Sequence, residues 1–457
     1  MENKSLLYES PEKPFFANVD AHIDGCMFSP SGSSERFRRS GFLFRRVTAG
    51  CILTLLFVLL SSTGMLSNEL FAQKAVLGDT VYTMEGEPIE NGVVLIRDGK
   101  IERVGPAQDV TIPDDYQIFQ GAVVTPGLID AHSVVGLAGY YNQDHDQDQL
   151  DLTHAIQPEL RAIDAYNARE ELVGFLRDNG ITTIHTGHAP GAVISGQTMI
   201  VKTSGNTVDE ALVDSTTALA ITLGSVVRNH FDTPGTRSKG IAMFRQELIR
   251  AREYAERRNH EDPERRPDRD LGLDAIVDMI EGRLYALVTA HRSQDIMTAL
   301  RLQREFGFPL LLDGGAESYL LKGELLEAGV PVIIHPTMVR TRGDTENAAF
   351  DTAKRLNQAG IPVAFQSGYE PYVPKTRVTL FEAGIATGYG MDRMEALRSL
   401  TITPAQIFDI DDRTGSLSEG KDADIVIFDG DPFEYTNRPT HVFIDGTLFP
   451  APDPVQQ

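Results

Sequence analysis

Val124-Thr-Pro-Gly-Leu-Ile-Asp-Ala-His132 decides how this chain is read, because two different rhythms meet there. On its N-terminal side, residues 76–125 run in short strands and turns. Val76-Leu77 opens a strand that Thr80-Val-Tyr-Thr83 continues. Gly92-Val-Val-Leu-Ile96 then meets the turn Arg97-Asp-Gly-Lys100, and residues 101–104 return. Asp-Gly is a hairpin signal because both positions of the tight turn need positive φ. On the C-terminal side, apolar runs at 122–124, 181–185, 284–288, 310–312, 332–334 and 363–365 read as strands. Helical stretches at 170–179, 296–306, 320–328 and 345–359 separate them, several followed by glycine. That rhythm predicts a parallel α/β domain, and its length suits a (β/α)8 TIM-type barrel.

The β-rich style returns at 423–428 and 441–444, with Asp445-Gly446 as another turn. Both ends of the chain are therefore expected to build one small composite β-sandwich domain. The expected division is a leader at 1–72, the first part of the sandwich at 73–125, the barrel at 126–413 and the second part at 414–457.

Composition narrows the function classes. The formal net charge of -23 would repel nucleic-acid phosphates and anionic lipid, so neither is an expected partner of the main body. Cys26 and Cys51 are the chain's two cysteines, which excludes thiolate metal sites and a cysteine nucleophile from the body. Arg36, Arg38, Arg39, Arg45 and Arg46 precede an uncharged run at 47–68. The run reads as a signal peptide, with Ala72 as a small residue for cleavage, or as a signal anchor if uncleaved. Either reading exports the acidic body as a periplasmic or secreted protein, in contact with a membrane only through this segment. Met27 reads as an alternative start.

The opening run resembles the segment that begins the barrel in the amidohydrolase superfamily, in its imidazolonepropionase-like branch. The distal end agrees at Leu400-Thr-Ile-Thr-Pro-Ala405, at Thr414-Gly-Ser-Leu-Ser-Glu-Gly-Lys-Asp-Ala-Asp-Ile-Val426 and at Phe428-Asp-Gly-Asp-Pro432. The resemblance implies hydrolysis of carbon–nitrogen bonds other than peptide bonds, assisted by a divalent metal such as zinc. In that family a His-x-His pair on the first barrel strand grips the metal, with His on strands 5 and 6 and Asp on strand 8. The metal makes bound water acidic and polarises the scissile carbonyl.

Against that pattern the chain keeps His132 but carries Val134 where the second histidine belongs. His291 stands near the expected end of strand 5, Gly314 replaces the strand 6 histidine, and Ser367 or Gly368 replaces the aspartate. The resemblance thus leaves His132 and His291 as metal ligands, one fewer than the three protein ligands of a catalytic zinc. For His132 a structural role as a neutral core histidine stays equally open. His335, at the expected end of strand 7, is the candidate for substrate contact, with a structural role for a lone histidine before Pro336 as the alternative.

Several bland readings complete the set. His185 and His188 are expected to open a packing loop, Lys202 to sit exposed at a strand edge, and residues 142–149 to form a solvated loop. Two functions remain: a hydrolase of a small molecule with an atypical or incomplete metal site, or a non-catalytic relative that binds a ligand or assembles with a paralogue. A homodimer is the expected oligomer.

Overall fold

The computed structural model describes residues 73–141, 143–338, 341–369 and 378–450. The expected leader and its apolar run at 47–68 lie outside these residues. Among the described residues no helix is long and apolar enough to cross a membrane. The membrane-anchored, exported placement is corrected accordingly and withdrawn.

Seven strands form one sheet in the order β15-β14-β13-β4-β1-β2-β3. From the N-terminal side come β1 (Lys74–Val81), β2 (Ile89–Arg97), β3 (Lys100–Pro106) and β4 (Gln117–Pro126). The distal end adds β13 (Ile425–Phe428), β14 (Pro439–Ile444) and β15 (Thr447–Pro450). The β2–β3 hairpin turns at Asp98 (φ 51°) and Gly99 (φ 79°), the doubly positive turn that Asp-Gly favours. Period-two alternation gives the sheet apolar side chains on both faces. Val94 and Ile96 pack with Ile425 and Ile427 on one side, and Val93 and Leu95 with Val110 and Tyr116 on the other. The run at 122–124, read as a barrel strand, belongs to β4 and hence to this sheet.

The second sheet has eight strands in the order β12-β11-β10-β9-β8-β7-β6-β5. They are β5 (Leu128–Ser133), β6 (Ile181–Gly187), β7 (Ile194–Lys202), β8 (Leu212–Thr222), β9 (Tyr285–Ala290), β10 (Leu310–Gly314), β11 (Val332–Ile334) and β12 (Val363–Phe365). A parallel bridge between Ser133 and Gly368 joins its two ends, so the sheet closes into the expected barrel. One strand departs from the regular pattern. β7 pairs antiparallel with both β6 and β8, while the other neighbours are parallel. A parallel crossover needs a dozen or more residues, and the connections 188–193 and 203–211 are too short for one.

The interior is layered. Ile129, Ala131, Leu287, Leu311, Ile333 and Ala364 form an apolar layer, plugged below by Ala405, Ile407, Phe408 and Ile410. Helices Glu171–Asp178, Ser293–Phe306 and Lys322–Ala328 lie close to the expected bounds. The stretch 345–359 is helical only over Thr352–Asn357. The residues before it are drawn away by polar contacts: Asp344 accepts from Ser225 Oγ and Arg237, and Glu346 from Arg292. The basic and acidic stretch after Arg237 is a helix, Arg237–Arg258, that buries Phe244, Leu248, Ala251 and Tyr254 along one face.

The Pro-Gly of the opening motif has a packing reason. A β-carbon at Gly127 would stand 2.0 Å from Thr182 Oγ1 and 2.6 Å from its Cγ2. Glycine there lets β5 enter directly beside β6. Gly127→Ala is expected to lower stability by about 1–3 kcal/mol through overpacking, read as an earlier midpoint in urea.

Lys202 is the main surprise below the barrel. Rather than lying exposed at an edge, its ammonium is buried among three carboxylates. It reaches Asp424 Oδ2 at 2.5 Å, Asp422 Oδ2 at 3.1 Å and Asp445 Oδ1 at 3.1 Å. β7 brings the lysine from the barrel, and the segment that pairs with the first sheet brings the aspartates. Burial pushes the amine down, but Asp424, Asp445 and Asp422 more than offset it and hold Lys202 above its ordinary value.

Candidate functional site

Strand periodicity builds the site. Two residues beyond the apolar layer, Thr289, Asp313, His335 and Gln366 follow Leu287, Leu311, Ile333 and Ala364 on the inward face. The layer at the C-terminal strand ends is therefore polar. Asp313 is its centre. Its Oδ1 receives His132 Nδ1 at 3.1 Å and the amide of Gln366, and its Oδ2 receives Thr289 Oγ1 at 2.5 Å. Burial alone would raise this carboxyl. The His132 imidazole and the donors from Thr289 and Gln366 hold it well below the ordinary range, at about 2.

A carboxylate accepts only, so Asp313 fixes the proton of a neutral His132 ring on Nδ1 and leaves a lone pair on Nε2. That Nε2 is buried and has no hydrogen-bond partner. Gln366 Oε1 and His291 Nδ1 are likewise buried without partners.

His291 follows β9, and its ring lies on Gly314. A β-carbon at 314 would meet His291 Cε1 at 2.4 Å. Burial pulls the imidazole below its usual value, opposed by the charge of Asp313 and reinforced by His335. His335 follows β11 and lies in the same way on Gly368, where a β-carbon would stand 2.6 Å from its ring. Tyr369 stands over both neighbours, its ring centroid 5.9 Å from His335 and 6.3 Å from His132. The structure thus places His132, His291 and His335 around the mouth of one barrel, with Asp313 bonded to the first and acting electrostatically on the second.

The positions that departed from the family pattern are filled by other contacts. Val134 packs with Ala138, Ala189, Leu150 and Tyr369 in an apolar cluster. Ser367 donates its hydroxyl and its backbone N–H to Asp130, at 2.5 and 3.0 Å. Burial pushes Asp130 up to about 6 despite those donors.

His185 and His188 were expected in a loop, yet His185 lies inside β6. Its Nδ1 meets Ala131 O at 2.9 Å and its Nε2 meets Thr198 Oγ1 at 2.7 Å, so both ring nitrogens are engaged. Burial pulls His185 down to about 3 and His188 to about 4. The unfolded chain therefore binds more protons between those values and about 6.5. Stability is expected to fall as pH drops through that window. Urea melts at pH 7 and 5 should show the loss, and His185→Gln should reduce its slope.

These residues fit the family's metal poorly. Among the described residues, no group of three or more His, Asp, Glu or Cys side chains is placed to hold an ion. His132 keeps Nε2 free, but Val134, Gly314 and Ser367 bring no imidazole or carboxylate beside it, Asp130 is bonded to Ser367, and His185 is engaged at both nitrogens. Sequence reasoning missed Asp313, Thr289 and Gln366. Their only local signal is a polar residue two places beyond an inward apolar one at a strand end.

Comparison with known proteins agrees with the geometry. A family model described as "Amidohydrolase family" matches residues 370–449. Amidohydrolase tasK of Hapsidospora irregularis is 24% identical over 394 residues, covering 78% of this chain and 39% of that protein. The chain thus spans about two fifths of the tasK relative's length. An imidazolonepropionase of Sphingopyxis alaskensis is 23% identical over 403 residues, covering 78% of this chain and 92% of that protein. Among solved structures, an amidohydrolase from Thermotoga maritima MSB8 superposes with a TM-score of 0.77 at 27% identity, covering 82% of this chain and all of the other. The barrel, the composite sheet and these likenesses together support membership of the amidohydrolase superfamily, with an incomplete metal site among the described residues.

Proposed function

We propose that the chain is a hydrolase of small molecules that acts on carbon–nitrogen bonds other than peptide bonds. The observation that supports this reading most is the buried polar layer at the C-terminal strand ends. His132 Nε2, His291 Nδ1 and Gln366 Oε1 all lack partners there, and buried polar atoms rarely stay unpaired. A bound molecule with N–H and carbonyl groups would satisfy them. His335 is proposed as a substrate contact, from its place beside Tyr369 at the same mouth.

The names of the imidazolonepropionase relatives direct the first trials to imidazolone and other cyclic amide and imide rings. Purified protein is expected to open at least one ring in such a panel, followed by loss of the ring's absorbance. No turnover of any member would overturn the reading.

A second reading is favoured by a separate observation. The apolar packing of Val134 and the Ser367–Asp130 bonds occupy positions where the family needs ligands. On this reading the barrel binds a small molecule without turning it over, or assembles as a homodimer or with an active paralogue. Calorimetric binding of a panel ring without ring opening would favour it.

A further inference from the structure

We infer that His132 and Asp313 form a metal-independent general-base pair, in place of the metal that the fold would otherwise use. The inference rests on the hydrolase reading above and deepens it. Three observations carry it. Asp313 Oδ1 holds His132 Nδ1 at 3.1 Å, which orients the ring and fixes its tautomer. Thr289 and Gln366 fix the carboxylate in turn, so its own rotamer is locked from β9 and from the end of β12. The opposite ring nitrogen, His132 Nε2, is buried and unengaged, and so is Gln366 Oε1. A carboxylate–imidazole pair with a free outer nitrogen is the arrangement that general-base hydrolysis needs.

The chemistry balances without a metal. Water adds to the amide carbonyl carbon, forming the new C–O bond, while its proton passes to His132 Nε2. The carbonyl pair moves to oxygen. On its return the C–N bond breaks, and His132 Nε2 gives the same proton to the departing nitrogen. Asp313 stays ionised throughout and stabilises the imidazolium that forms between the two steps. Gln366 Oε1 is placed to accept an N–H of the substrate, which leaves the base for water. His132 is thus the catalytic residue, and Asp313 positions it.

The alternative origin of the pair is structural, with the histidine serving only to neutralise a buried carboxylate. The two roles separate in kinetics. With a panel ring that wild-type protein opens, rates are measured in excess chelator and after zinc addition, for wild type, Asp313→Asn and His132→Gln. We expect chelation to leave the wild-type rate unchanged. Asp313→Asn, which reverses the preferred tautomer, and His132→Gln should each lower kcat by roughly 10²–10⁴-fold, with KM within about threefold. Should Asp313→Asn fail to melt cooperatively, His132→Gln decides.

A wild-type rate that collapses in chelator and returns with zinc would overturn the pair while leaving the hydrolase reading standing. So would kcat within about threefold of wild type in both variants. Failure to open any ring, under either condition, overturns the pair and the hydrolase reading together.

Discussion

Lys202→Ala is expected to destabilise the protein by about 3–5 kcal/mol, because it strands the buried Asp424 at a vacated site and takes the shared cation from Asp422 and the half-exposed Asp445. The lysine is 3% exposed, so water offers no ready substitute for its ammonium. Asp424 would keep the Thr414 hydroxyl at 2.9 Å, and Asp422 would keep Lys100 and Arg413. Those donors are too few to neutralise the cluster. The sign of the pH effect follows. With the lysine present, Asp422 lies below its ordinary value, so its contribution is present at neutral pH and is lost in acid. Without the lysine the attraction that helps hold Asp422 down is gone, and acid relieves the repulsion among the carboxylates left behind. The stability gap between wild type and variant should therefore shrink as pH falls toward 4. Denaturant melts at pH 7 and pH 4.5 measure it. A gap that is constant with pH would show that the loss comes from packing alone.

Gly314→His, the change that would restore the family residue on strand 6, is expected to cost about 2–5 kcal/mol and to recruit no metal. Gly314 has φ +81°, a left-handed backbone that side chains with a β-carbon adopt at a penalty. The added β-carbon would also meet the His291 ring at 2.4 Å. The imidazole already fills the space into which a histidine at 314 would project. Restoring a histidine at 314 therefore displaces the His291 ring. Thermal melts together with metal content by mass spectrometry check both halves. A stable variant holding one zinc per chain would mean that the ring of His291 swings aside readily.

Much of the fold was legible because its signals are local. The Asp98-Gly99 hairpin, the alternation in β2 and the run from Pro126 into β5 each carry their instructions within a few residues. The reversal of β7 was not legible from the strand itself. Ile194–Lys202 mixes Ser, Gln and Thr with apolar residues yet is buried throughout, and its direction is set by how short the flanking connections are. The stretch 345–359 reads as one helix on periodicity, but it is helical only over Thr352–Asn357, and in its first part Glu346 pairs with Arg292.

The candidate site was half legible. Val134 and Gly314 stood out as missing ligands only against the pattern of the family that the chain resembles. Asp313 gave no such signal, because its meaning depends on His132, Thr289 and Gln366 arriving from three other strands. Lys202 misled for the same reason: its partners lie more than two hundred positions away in the chain.

The place of β13 has a consequence for how the molecule is made. It pairs with β4 on one side and β14 on the other, yet it is synthesised only after the whole barrel. Until then the nascent chain carries β4 with an open edge, a template for wrong pairing with any neighbouring chain. Closing the first sheet is thus a late, long-range event in biogenesis. A ribosome that stalls or a protease that clips before residue 425 would leave a finished-looking barrel with a sticky flank.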